Sequence, residues 1–188
     1  MLSLDDDLRA AAFAHVAALT AQHGVLSSGI IADGFRFQGQ RIPLVNPQQG
    51  IFKPRQMRHL LSIRTVIPRK GGKIWYDDQR QVHDQIYAGD ESVDYAFMGE
   101  NPDARNNVWL REAWEAGIPF IYFLGVAPGR FQAVMPAFIA DWDPKSLSVS
   151  VSFGEEPCVT SSQPGDAIER RYTLRQVKQR LHQSQFRE

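Results

Sequence analysis

The chain has 188 residues, with 21 Lys+Arg against 21 Asp+Glu, 43% hydrophobic residues and 22% charged residues. Those proportions exclude wholesale disorder and suit one ordinary domain with an appendage. A lone Cys158 excludes a disulfide framework and any zinc site built on paired cysteines. The acidic start MLSLDDD is not a secretory signal, and no apolar run reaches the ~18–20 residues that span a bilayer, so a cytoplasmic location is expected.

Ser3 before Asp5, Asp6 and Asp7 reads as a helix start, with Leu4, Leu8, Ala11/Ala12, His15 and Leu19 at helical spacing and Gly24 as the stop. Residues 1–30 are therefore assigned to an N-terminal helical region, with His15 on its apolar stripe as a core histidine rather than a ligand. From Phe35 to Pro54 the chain is short and irregular, and Pro54 could open a short helix carrying Met57, Leu60 and Leu61. Ile63 to Ile67 predicts a strand, followed by a turn with cations at its tip and a second strand at Ile74-Trp75-Tyr76.

Val93, Tyr95 and Phe97 alternate with Asp94, Ala96 and Met98, the pattern of a half-buried strand ending at Gly99. A helix is expected over Asp103 to Glu115, then a wholly apolar strand from Pro119 to Val126. A long strand through Phe138 towards Trp142 follows, and Leu147, Val149, Val151 and Phe153 alternate with serines in a last one. Short strands joined by turns, with few helices, predict an α+β fold built on a small twisted β-barrel with flanking helices. Residues 31–153 would form that body. Residues 154–168 read as a linker, and 169–188 as a basic helix that either leads to a further domain, packs back on the barrel or supports a homodimer.

Zero net charge hides an uneven distribution. Between Gly34 and Tyr76 stand nine basic residues (Arg36, Arg41, Lys53, Arg55, Arg58, Arg64, Arg69, Lys70, Lys73) and no acid, whereas Asp77 to Asp103 holds eight acids against Arg80. Such a block is the footprint of a polyanion-binding face, or it pairs with the acidic block across a sheet.

No phosphate-binding P-loop, no dinucleotide fingerprint and no metalloprotease motif occur, and the five histidines share no metal-site spacing. The positive signal is Trp75-Tyr76-Asp77-Asp78, followed by Asp94-Tyr95-Ala96-Phe97-Met98-Gly99. Rings beside carboxylates, next to a basic block, are what a pocket for an extruded nucleobase needs. The rings stack on the base, a carboxylate accepts from an exocyclic amine, and cations hold the backbone. Trp75 and Phe97 could equally be core residues.

The order WYDDQ, VDYAFMG, a helix from Asn107 to Glu115, IPFIYFLGV and GRFQAVMPAFIADW resembles the SRA domains of the PUA superfamily, over residues 50–153. Gly99-Glu100-Asn101 stands where those domains carry a doubled glycine. VNPQQGIFKPRQM, LSIRTVIPR, YAFMG and IYFLGVAPGRFQAVMPAFI are similar to the N-terminal half of bacterial modification-dependent HNH restriction endonucleases, and ERRYTLRQVKQRLHQSQFRE to the joint leading into their nuclease.

The resemblance implies a reader of double-stranded DNA that flips a modified cytosine (5-methylcytosine or 5-hydroxymethylcytosine) and targets an HNH nuclease. The residues of that nuclease are absent here, so this chain is not expected to cut DNA itself. It implies a base pocket of Trp75, Tyr76, Asp77, Asp78, Tyr95 and Phe97, with Asp77 and Asp78 both open as the base contact. Lys53, Arg55, Arg58, Arg64, Arg69, Lys70 and Lys73 are the candidates for DNA backbone or groove. No cofactor is expected, a divalent metal belonging only to the nuclease. The alternatives are a PUA-type RNA-binding module and a Mg²⁺-dependent nuclease using Asp77, Asp78 and Asp94.

Overall fold

Three carboxylates follow Ser3, and they decide how the chain begins. In a computed structural model, which describes residues 3–66 and 92–154, helix α1 (Leu4–His23) opens with a capping box. Asp6 N–H donates to Ser3 Oγ at 3.3 Å, and Ser3 N–H donates to the Asp6 carboxylate at 3.0 Å. Gly24, at φ 70°, ends the helix, its N–H donating to Thr20 O at 2.8 Å. The helix therefore stops at the glycine the sequence marks, and strand β1 (Leu26–Ser27) and helix α2 (Ser28–Asp33) follow, with Ser27 Oγ accepting from Ile30 N–H.

The described chain is mixed α+β, as expected, and divides into two units. The first comprises residues up to 72 together with 120–135. Leu8, Ala12 and Val16 line the buried stripe of α1 and pack with Ile31, Phe35, Ile42, Leu44, Leu61, Ile121, Phe123 and Phe131. Strands β2 (Phe35–Phe37) and β3 (Gln40–Ile42) make a two-stranded hairpin. Strands β4 (Ile51–Phe52), β5 (Ser62–Thr65), β7 (Phe120–Ala127) and the start of β8 (Arg130–Asp143) lie in that order, with β1 also on β8. Strand β5 runs parallel to β7 with Ile63 opposite Tyr122. The apolar run in β7 is buried from Phe120 to Gly125, as a strand covered on both faces must be.

Residues after Pro54 form a turn instead of the expected helix. The Asp5 carboxylate accepts from the Arg58 and His59 N–H groups, which a continuing helix would need for its own ladder. Asp5 also pairs with Arg9 at 2.8 Å, and Arg9 donates to Leu60 O at 2.6 Å while only 6% exposed. This buried node ties the first turn of α1 to the segment leading into β5.

The second unit comprises 73–119 and residues from 136 onward. Its described strands are the rest of β8, then β9 (Ser148–Phe153) and β6 (Ser92–Ala96), all antiparallel, beside helix α3 (Arg105–Glu115). The alternation expected of β9 is observed: Val149, Val151 and Phe153 are buried and the intervening serines are partly exposed. Between β8 and β9 the Asp143 carboxylate accepts from the Lys145 and Ser146 N–H groups, and Leu147 takes φ 55°. The expected linker over 154–168 (beyond Gly154), the basic helix over 169–188 and Cys158 lie outside the described residues. Among the described residues no helix is long and apolar enough to cross a membrane.

Two predictions follow from these polar contacts. Arg9→Met strips a cation from a largely buried carboxylate and a donor from Leu60 O, so urea unfolding should show a loss of about 2–3 kcal/mol. Arg111→Ala, which breaks an exposed pair with Asp103, should cost under about 1 kcal/mol in the same assay. The second concerns acid. Hydrogen bonds from Ser3 hold the Asp6 carboxyl below its ordinary 3.8, and those from Ser146 and Lys145 do the same for Asp143. A lowered carboxyl stabilises the fold fully above its ordinary value and loses that contribution as pH falls through the lowered one. The thermal midpoint should therefore drop as pH falls below 3.8, and Ser3→Ala should flatten that drop.

Candidate nucleic-acid interface

In β6 the alternation places Val93, Tyr95 and, one residue beyond the strand, Phe97 on one face. Val93 is 1% exposed, Phe97 7%, and Tyr95 is half-buried. Register then recruits a further aromatic. Tyr95 stands opposite Val149 of β9, and Val149 stands opposite Trp142 of β8, so the three side chains share a face across neighbouring strands. Phe97 lies against Trp142 with ring centroids 4.2 Å apart and planes inclined by 32°.

Trp142 joins this face because β8 carries a bulge. Ile139 pairs with Val151 and Asp141 with Ser150, leaving Ala140 as the extra residue. Without it, Trp142, three residues from Ile139, would face the opposite side. The same shift puts Asp141 on the other face with Ser150 and Asp94. There Ser150 Oγ donates to the Asp94 carboxylate at 3.2 Å.

Asn107, entirely buried on α3, holds the chain beyond Phe97 in place. Its Oδ1 accepts from Met98 N–H at 2.8 Å, and its Nδ2 donates to Met98 O at 3.1 Å and Asn101 O at 2.8 Å. Phe97 N–H donates to Leu147 O at 2.7 Å. Strand end, hairpin and helix thereby converge on Phe97 and Met98. The Asn107 contacts could not be anticipated from spacing, since an Asn near a helix start ordinarily signals a cap.

Of the expected pocket, Tyr95 and Phe97 share a face; Trp75, Tyr76, Asp77 and Asp78 lie outside the described residues. So do Arg69, Lys70 and Lys73 of the basic group. The four cations that are described belong to the first unit. Arg55 and Arg58 are exposed. Lys53 Nζ donates to Met57 O at 3.1 Å. Arg64 Nη2 donates to Asn46 O and Pro47 O at 3.1 and 3.0 Å, with its guanidinium 5.9 Å from the Phe131 ring centre. Lys53 and Arg64 thus spend donors on main-chain carbonyls, whereas Arg55 and Arg58 present theirs to solvent. Among the described residues no three His, Cys, Asp or Glu gather as a metal site.

Replacing Asn107 by Leu would strand the Met98 N–H and the Met98 and Asn101 carbonyls. Chemical denaturation should register a loss of about 2–3 kcal/mol, with the Trp142 emission shifting as Phe97 loosens.

No family model, no curated protein and no solved structure matches this chain.

Proposed function

We propose that the chain is a DNA reader built on an SRA-like barrel of the PUA superfamily. It takes a flipped modified cytosine against the aromatic face of β6 and targets an attached HNH nuclease, in the cytoplasm. The observation that carries this reading is the Tyr95, Phe97 and Trp142 group gathered on one face of β6, β9 and β8. Phe97 and Trp142 stack on each other, and Tyr95, half-buried on the same face, is the ring assigned to the base. The acid-free stretch from Gly34 to Tyr76 carries nine cations, the charge pattern of a chain that binds a polyanion.

Magnitudes shape the test. One methyl buried in a pocket is worth about 0.8 kcal/mol, a severalfold preference. One stacked base is worth ~1–3 kcal/mol, tenfold or more in affinity. Two labelled duplexes differing in one 5-methylcytosine, titrated at a stated salt concentration, should differ severalfold in Kd. Tyr95→Ala should remove that difference and weaken the methylated duplex about tenfold. Equal binding of both duplexes by the parent protein would sink the modified-base reading. A single-stranded RNA that displaces either duplex would replace it with the RNA-binding one.

A further inference from the structure

We propose that Arg36 and Arg41, paired across the β2–β3 hairpin, form a clamp for a backbone phosphate of a polynucleotide. The inference rests on the nucleic-acid reading above and adds a site outside the cations assigned to it from the sequence. Phe35 pairs with Ile42, Arg36 with Arg41 and Phe37 with Gln40. Phe35 and Ile42 are buried in the core of the first unit, and Phe37 packs against it, so one face of the hairpin is anchored. The opposite face carries the two arginines, both exposed.

Arg41 is held in place. Its Nε donates to Asp33 O at 2.7 Å and its Nη2 to Ala32 O at 2.8 Å, the last carbonyls of α2. A guanidinium has five N–H donors. Two are used here, which leaves both on Nη1 and one on Nη2 for an anion, the fork that matches phosphate oxygens. Because the carbonyls already fix the side chain, little further rotamer entropy is lost on binding. Arg36, directly opposite, makes no hydrogen bond or ion pair, and neither arginine has a carboxylate partner among the described residues.

Like charges opposite each other across a hairpin repel. An anion between them turns that repulsion into charge-assisted bonds. Both arginines are exposed on the ribbon, where a polyanion gains from further cations that a small free ion cannot reach. Arg55 and Arg58 are exposed as well, in a stretch from Gly34 to Val66 that holds no acid, which suits a repeating anion rather than a single one.

The test is the salt dependence of duplex binding by fluorescence anisotropy, for the parent chain, Arg36→Ala and Arg36→Lys. Arg36 has no partner among the described residues, so neither variant should disturb the fold; circular dichroism checks this. Arg36→Ala should weaken binding severalfold and reduce the slope of log K against log salt by about 0.9, one phosphate contact, equally on methylated and unmethylated duplexes. Arg36→Lys should recover the slope, since the charge is kept. Tight binding by the parent with an unchanged slope in Arg36→Ala would overturn the clamp and leave the reader standing. An Arg36-dependent slope on both duplexes, without methyl discrimination, would keep the clamp and remove the reader. No binding of any polynucleotide by the parent at low salt would overturn both.

Discussion

A single unpaired residue in β8 governs what the second unit can gather on its inner face. A β-strand alternates faces with a period of two, and that rule alone would send Ile139 and Trp142 to opposite sides. The bulge at Ala140 breaks the count once. Trp142 then stands in line with Val149 and Tyr95, Phe97 gains a ring to stack on, and Asp141 is turned to the serine face with Asp94. Bulges commonly re-aim a side chain in this way, at the cost of one local break in the ladder. Everything proposed for the aromatic face, including the half-buried position of Tyr95, depends on that one insertion.

The rigidity of this arrangement comes from main-chain hydrogen bonds made at the end of β6. Past Ala96 no strand neighbour remains to satisfy the backbone. The Asn107 side chain and the Leu147 carbonyl take over, one from α3 and one from the β8–β9 connection. Leu147 holds a backbone conformation that a branched side chain rarely adopts, and its carbonyl is the one that receives Phe97. The first unit follows the same logic with charge: Asp5 and Arg9 satisfy the amides and the carbonyl of a turn that has no regular secondary structure of its own. In both units a side chain stands in where the hydrogen-bond ladder stops.

Much of this was legible in the sequence, and the limits have physical reasons. Ser3 with three aspartates fixed the start of α1, the apolar run marked β7 as covered on both faces, and the Val/Ser alternation of β9 declared its inner side. Each of those signals is local. The turn after Pro54 was not legible, because Asp5, 53 residues earlier in the chain, captures its amides. Trp142 was not legible as a partner of Phe97, because a bulge leaves no mark on hydrophobic periodicity. Nor was the role of Arg41, whose carbonyl partners depend on how α2 turns into β2. The pairing of Tyr95 with Phe97 was visible as simple alternation, whereas the fate of Trp75 to Asp78 depends on residues outside those described.

That turn from α2 into β2 runs through Gly34, where φ is 67° and a Cβ would come within 2.3 Å of the Ile42 carbonyl oxygen. The obstacle is backbone on both sides, so no neighbouring rotamer can give way. The hairpin that displays Arg36 and Arg41 is therefore built around a missing atom. Arg36 can be exchanged with little effect on folding, Arg41 holds two carbonyls of α2, and the hinge beneath them accepts one residue type only. A mutational library of this segment would accordingly read as chemistry at the exposed positions and as geometry at Gly34, separating the part of the ribbon that meets a ligand from the part that aims it.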